Sequence, residues 1–304
     1  MKPFFVFSGQ GAQSVGMGRD LAGFSKAAAE IFNTADTELG YPLSSIIFDG
    51  PEEKLTQTRY CQVAIYTMSC AALEAFREKF PGISPVGCAG LSLGEYGALY
   101  AAGAFDFVTG LKLLAKRAEL MDDACSRTQG GMASILNGDI AVIREVCGEC
   151  GIDVANFNSP AQIVISGEKE KVSAACAMLK ERGIRKAIEL NVAGAFHSRL
   201  MADAGNKLQA VLADTGIKLP AIPVWHNFTA GTASTVDELR ANLASQVAGS
   251  VRWHECVQAM VAAGGDTMIE FGPGNVLTKL CSRAVPEVAL YNVNSVASFE
   301  SLNF

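Results

Sequence analysis

The chain begins with a short apolar run, Lys2 to Phe7, followed by the glycine-rich polar stretch SGQGAQSVGMG and then by a segment of helical spacing. From Arg19 to Leu39, the apolar positions Leu21, Phe24, Ala28, Ile31 and Phe32 fall on one helical face. This predicts a strand, a glycine turn and a helix. The unit recurs twice. Val86 to Ala89 leads into GLSLG and a helix from Glu95 to Ala102, and Thr267 to Phe271 leads into GPGN and a helix from Val276 to Cys281. Strand-to-helix units joined by glycine turns predict a mainly parallel sheet covered by helices, with functional groups at the carboxyl ends of the strands. The large part of the protein is therefore read as α/β.

Between about Gly130 and Val192 the rhythm changes. MASILN, VANFNS, QIVISG and RKAIELNV read as strands, and IAVIREVCGEC and EKVSAACAMLKERG as helices. The order is β-α-β-β-α-β, the ferredoxin-like arrangement, and it predicts a small subdomain inserted in the larger one. Neither a low-complexity linker nor a repeat of solenoid period interrupts the chain.

With 304 residues, 49% hydrophobic and 18% charged, the chain can bury a sizeable core. No apolar run approaches the roughly 18 residues of a membrane span, and the run at the start is too short for a signal peptide, so a cytoplasmic protein is expected. Nine scattered cysteines suggest free thiols rather than a disulfide framework. Cys147 and Cys150 form a CxxC without a second pair or a nearby histidine, so the end of a helix is favoured over a zinc or redox site. A net charge of −6 argues against nucleic acid or an anionic membrane as partner. The one basic cluster, Lys180, Arg182, Arg185 and Lys186 with Arg199 beyond it, reads as a solvated helix end.

Ser92 stands in G-x-S-x-G between a strand and a helix, the context of a nucleophile elbow. The helix after it aims free N–H groups at the serine, which makes the main-chain N–H of Leu93 a candidate oxyanion donor. SGQGAQSVGMG lacks the third glycine of G-x-G-x-x-G, where Ser14 stands, and the Lys-Ser/Thr of a P-loop. What remains is a turn whose N–H at Gln10 could be a second donor, or an ordinary strand-to-helix turn.

Arg117 is centred on the apolar stripe of a helix from about Phe107 to Ala124, between Leu113, Leu114, Leu120 and Met121. A buried guanidinium needs a carboxylate, either an internal one or that of a substrate. Of the three histidines, His226 and His254 read as structural. His197 follows a glycine turn and precedes a predicted helix from Ser198 to Leu212, where the small subdomain returns to the large one, and is the best candidate for a base.

FSGQGAQSVGMG, GLSLGE, the Arg117 helix, NSPAQIVISG, GAFHS and EFGPGNVL occur in the order and approximate spacing of the malonyl-CoA:acyl carrier protein transacylases. The chain resembles that family, which is similar to the acyltransferase domains of polyketide and fatty acid synthases, over nearly its whole length. The resemblance implies an α/β-hydrolase-like large subdomain, residues 1–128 and 196–304, a ferredoxin-like small one, residues 129–195, and an active site between them. It implies Ser92 as nucleophile, His197 as base, the N–H groups of Gln10 and Leu93 as oxyanion hole, and the main-chain carbonyl of Gln246 as the group that orients His197. Arg117 corresponds to the carboxylate-binding arginine, Gln62, Met121 and Asn158 to pocket-lining positions, and Phe196 to the variant associated with malonyl.

The implied activity is transfer of malonyl from malonyl-CoA to the phosphopantetheine thiol of acyl carrier protein, for fatty acid biosynthesis, by a monomer without metal or cofactor. A trans-acting polyketide acyltransferase and a thioester hydrolase using the same Ser/His pair are the alternatives. A degraded carrier-binding scaffold is suggested only by Leu91, and Ser92, Arg117 and His197 together argue against it. Three positions depart from the family pattern: Leu91 where histidine is usual, Val63 in the usual Q-P-A, and Ser250 where proline is common.

Overall fold

The computed structural model describes residues 1–302. Among them are nine strands: β1 (Pro3–Phe7), β2 (Gly87–Gly90), β3 (Gly130–Leu136), β4 (Asp153–Ser159), β5 (Gln162–Glu168), β6 (Lys186–Leu190), β7 (Val224–Trp225), β8 (Thr267–Phe271) and β9 (Ala289–Val293). They form a parallel sheet of order β7-β2-β1-β8-β9 and an antiparallel sheet of order β4-β5-β3-β6.

The central strand β1 is buried along its whole length because helices cover both faces of the parallel sheet, which is why PFFVF reads as a continuous apolar run. Its neighbour β2 is GCAG for a steric reason. A Cβ on Gly87 would lie 2.4 Å from the Phe4 ring and 2.5 Å from that of Trp225. The helix Phe107–Arg127, capped by Asp106 accepting from the Thr109 N–H at 2.7 Å, runs with its apolar stripe inward.

Two predicted helices are interrupted. The segment Arg19–Leu39 forms two, Arg19–Phe24 and Lys26–Leu39, because Ser25 is extended and its Oγ accepts from the Ala28 N–H at 3.1 Å. Ser198 likewise caps a 3-10 turn, Arg199–Met201, ahead of the helix Ala202–Ala213. In both places a serine offers the backbone an alternative to the continuing helix.

The antiparallel sheet packs Ala133, Ile135, Ile163 and Ile165 against the helices Ile140–Cys150 and Lys169–Glu181. The alternate side chains Met132, Ser134 and Val164 face the cleft between the two sheets. Cys147 is packed in this small core, its thiol pushed up to about 12 chiefly by burial, and Cys150 Sγ lies 3.4 Å from Met178 Sδ. All nine cysteines are free. In the basic cluster, Arg182 is taken up by Glu145 and Glu149, and Arg199 by Asp153.

The antiparallel sheet is tied to the following chain at Ser250 and Val251, between the helices Val236–Ala248 and Trp253–Ala262. The Ser250 hydroxyl donates to the Val154 carbonyl at 2.6 Å, and Val251 exchanges main-chain hydrogen bonds with Ala155 and Phe157 of β4, both 2.8 Å. Among the described residues, no helix is long and apolar enough to cross a membrane.

Candidate active site

At the end of β2 the chain turns so sharply that both glycines of GLSLG are required. A Cβ on Gly90 would lie 1.9 Å from the Gly94 carbonyl carbon, and one on Gly94 would lie 2.3 Å from the Phe7 carbonyl oxygen of β1. Between them Ser92 takes φ +53°, a left-handed conformation that costs a side-chain-bearing residue about 1–2 kcal/mol. Asn227, two residues beyond β7, holds that conformation. Its Oδ1 accepts from the Ser92 N–H at 2.6 Å, and its Nδ2 donates to the Gly90 carbonyl at 2.8 Å.

Ser92 Oγ is thereby presented to His197, whose Nε2 is 2.8 Å away. His197 also has positive φ, +55°. Its Nδ1 lies 2.8 Å from the main-chain carbonyl of Gln246. A carbonyl only accepts, so Nδ1 carries the proton and the Nε2 lone pair faces the serine. Burial, with the nearby Arg117 charge as second cause, pulls the imidazole down from 6.5 to about 4. The imidazole is neutral at neutral pH, with its Nε2 lone pair free to accept a proton.

Arg117 is 1% exposed. Its Nη1 donates to Gln62 Oε1 at 2.6 Å, and its Nη2 to Gln246 Oε1 at 3.0 Å and to Ser92 Oγ at 3.1 Å. Nε has no hydrogen-bond partner, and no carboxylate pairs directly with the guanidinium among the described residues. Of the two carboxylates the sequence left open, the internal one is thus absent from direct contact. Burial lowers the Arg117 pKa. A desolvated cation beside the nucleophile is a receptor for an anionic group.

The N–H groups of Gln10 and Leu93 donate to no acceptor among the described residues. Leu93 immediately precedes the helix Gly94–Ala101, so its amide lies at the positive end of that helix. Gly9 passes so close to the elbow that a Cβ there would meet the Leu91 carbonyl oxygen at 2.7 Å. This contact brings the Gln10 loop against the Ser92 turn.

Ser92, His197, Arg117 and Gln10 line a cleft of about 660 Å³, with Met121, Phe196 and Asn158 on its walls. Asn158 Nδ2 donates to Gln162 at 3.4 Å, while its Oδ1 is unpartnered. Gln62, expected on the pocket wall, is instead fully buried behind Arg117, because its carbonyl oxygen is taken up by the guanidinium and its Nε2 faces Met121 Sδ at 3.5 Å. Leu91 lines the cleft and packs with Ala89, Trp225 and Val251.

Sequence reasoning missed three polar contributions. Glu95 and Asn227 are buried supports of the elbow, and the side chain of Gln246 joins its carbonyl in the site. Glu95 belongs to the GLSLGE run and Asn227 adjoins the predicted strand PVW, so their places in sequence were a signal, though not their partners. His226, read as structural, is buried with Nδ1 3.3 Å from Glu95 Oε1. His254 does not line the cleft.

Residues 4–300 match the family model described as acyl transferase domain. The chain is 41% identical to the malonyl CoA-acyl carrier protein transacylase of Bacillus subtilis, covering 92% of this chain and 89% of that protein. It is 40% identical to the polyketide biosynthesis protein ThaF of Burkholderia thailandensis over 94% of this chain but only 24% of that protein. Among solved structures, it superposes with a TM-score of 0.96 on a malonyl-transacylase in complex with its type II PKS acyl carrier protein. That chain is 36% identical, with 99% of this chain and 98% of the other covered.

Proposed function

The chain belongs to the acyl transferase domain family, and from that premise we propose that it transfers the malonyl group of malonyl-CoA to the phosphopantetheine thiol of acyl carrier protein through a malonyl ester of Ser92. The observation that carries this reading is Arg117 Nη2, 3.1 Å from Ser92 Oγ with no carboxylate of its own. A malonyl group bonded to Oγ would carry its free carboxylate back to that guanidinium.

In the first half-reaction, His197 Nε2 takes the Ser92 hydroxyl proton as Oγ attacks the thioester carbonyl. Negative charge gathers on the carbonyl oxygen, towards which the free N–H groups of Gln10 and Leu93 are available. The carbon–sulfur bond breaks, and the CoA thiolate takes the proton from His197. In the second half, His197 deprotonates the pantetheine thiol and its sulfur attacks the ester carbonyl. The carbon–oxygen bond then breaks and Ser92 recovers its proton. Thioester exchange needs no ATP, and His197 and the amides meet every proton and charge requirement, so no cofactor or metal enters the scheme.

The carrier protein as partner is supported by the relative solved in complex with one. We assign the product to fatty acid biosynthesis because the match extends over 89% of a dedicated transacylase but only 24% of the polyketide protein. We read the body, residues 1–128 and 196–304, as α/β-hydrolase-like and residues 129–195 as ferredoxin-like. The order β4-β5-β3-β6 with both helices on one face supports the latter.

Intact mass after mixing with malonyl-CoA tests the scheme. A malonyl adduct is expected on the wild type, none on Ser92→Ala, and discharge on adding phosphopantetheinylated carrier protein. No adduct on the wild type would sink the transacylase reading, and an adduct lost only to water would mark a hydrolase.

A further inference from the structure

Glu95 is fully buried three residues after Ser92, yet no proton or acyl transfer above uses it. Its Oε2 accepts from Gln246 Nε2. Its Oε1 accepts from the Asn227 main-chain N–H at 2.7 Å. Both partners lead directly to the site. Gln246 receives His197 Nδ1 on its main-chain carbonyl and Arg117 Nη2 on Oε1, and its Nε2 also donates to the Ser92 carbonyl at 3.0 Å. Asn227 holds the Ser92 N–H.

The chemistry of the three groups gives this chain a direction. A carboxylate only accepts hydrogen bonds and a guanidinium only donates them, while an amide does both at opposite ends. With Glu95 on one side, Gln246 must turn its NH₂ inward, which leaves its carbonyl oxygen for Arg117. Were position 95 an amide, which can also donate, the Ser92 carbonyl alone would hold the Gln246 NH₂ inward, and a reversed amide would set two donors against each other at Nη2. The intervening amide also separates the two charges. A carboxylate in direct contact would satisfy Arg117 and compete with an acidic substrate, whereas one held beyond Gln246 balances the buried cation and leaves its fork able to bind.

We propose that Glu95 is a positioning residue for malonyl selection, fixing the Gln246 amide so that Arg117 is held beside Ser92 with its charge unquenched. This rests on the reading of Arg117 as the group that binds the malonyl carboxylate.

Glu95→Gln keeps the shape and removes the directionality. Steady-state transfer from malonyl-CoA and from acetyl-CoA is compared for the two enzymes. In the variant, KM for malonyl-CoA is expected to rise about tenfold or more and the malonyl-to-acetyl ratio of kcat/KM to fall by at least about tenfold, any loss through the Ser92 elbow being common to both substrates and cancelling in the ratio. Gln246→Met, which keeps the length and the main-chain carbonyl but loses the amide, should show the same loss of selectivity and carries the test should Glu95→Gln not fold. A wild-type ratio in either folded variant, or an equal fall for both substrates, overturns the inference. A wild type that itself takes acetyl as well as malonyl removes the Arg117 reading instead, and this one with it.

Discussion

Ser92 and His197 meet at 2.8 Å with both backbones in the left-handed region, φ +53° and +55°. Among the described residues, two of the four non-glycine residues with positive φ are thus the proposed reacting pair. A separate part of the chain engages each residue: Asn227 Oδ1 accepts from the Ser92 main-chain N–H, and the Gln246 carbonyl accepts from the His197 ring. Local strain of this kind persists only where the surroundings over-determine it. It sets the two side chains face to face before any substrate arrives.

The depressed histidine has a pH signature. With its pKa pulled from 6.5 to about 4, His197 stays a competent base well below the usual histidine range. The acid limb of kcat/KM for malonyl-CoA is expected near pH 4 to 5 rather than near 6.5. Once a malonyl carboxylate neutralises Arg117, the repulsion on His197 weakens and its pKa rises, so discharge to the carrier thiol should lose rate at higher pH than acylation. Stability follows the same sign. The unfolded chain takes up the proton first as pH falls below about 6.5, so the contribution of His197 is full above that pH. It declines towards pH 4, a loss of about 3 kcal/mol. Rapid-quench rates of the two half-reactions across this window check the order of the limbs. Limbs that both fall near 6.5 would refute it.

Removing the guanidinium should change what the enzyme selects. Arg117→Ala is expected to lower kcat/KM for malonyl-CoA by about a hundredfold or more, an energy on the order of 3 kcal/mol, with a relative gain for acetyl-CoA. Arg117→Lys keeps the charge but cannot reach Gln62, Gln246 and Ser92 with one planar fork, so it should recover little of the loss. Competition between the two thioesters in one reaction measures the ratio directly, and unchanged selectivity in Arg117→Ala refutes the role.

Much of this arrangement was legible in the sequence because its signals are local. The continuous apolar run PFFVF marked β1, and the glycine turns that follow them marked β2 and β8. The glycines around Ser92 announced a turn that the contacts of Gly90 and Gly94 explain. Arg117 stood out as a charge on an apolar stripe. The polar network beneath them was not legible, because its bonds join residues 132 and 151 positions apart, Glu95 to Asn227 and Glu95 to Gln246. No periodicity encodes which buried acceptor a donor will find. The breaks at Ser25 and Ser198 were missed for a related reason, since each depends on a side-chain cap that competes with the helix it interrupts.

Leu91 stands where the family pattern usually has histidine, and the structure changes what that substitution should mean. Its side chain is 9% exposed and packs with Ala89, Trp225 and Val251, and its Cδ2 lies 3.2 Å from where a Cβ on Gly9 would be. The polar atoms of Ser92 and His197 are already engaged: Ser92 Oγ by His197 and Arg117, the Ser92 N–H by Asn227, and His197 Nδ1 by Gln246. A histidine at position 91 would find no unfilled partner on that pair. It would place a polar ring among apolar neighbours, at about 1–3 kcal/mol if its nitrogens go unsatisfied. Leu91→His is therefore expected to alter kcat by less than about tenfold while lowering the thermal midpoint by several degrees. Kinetics and calorimetry on the same preparation separate the two effects. A large gain in kcat at unchanged midpoint would mean that the leucine had cost the enzyme a hydrogen bond in the transition state rather than supplied packing.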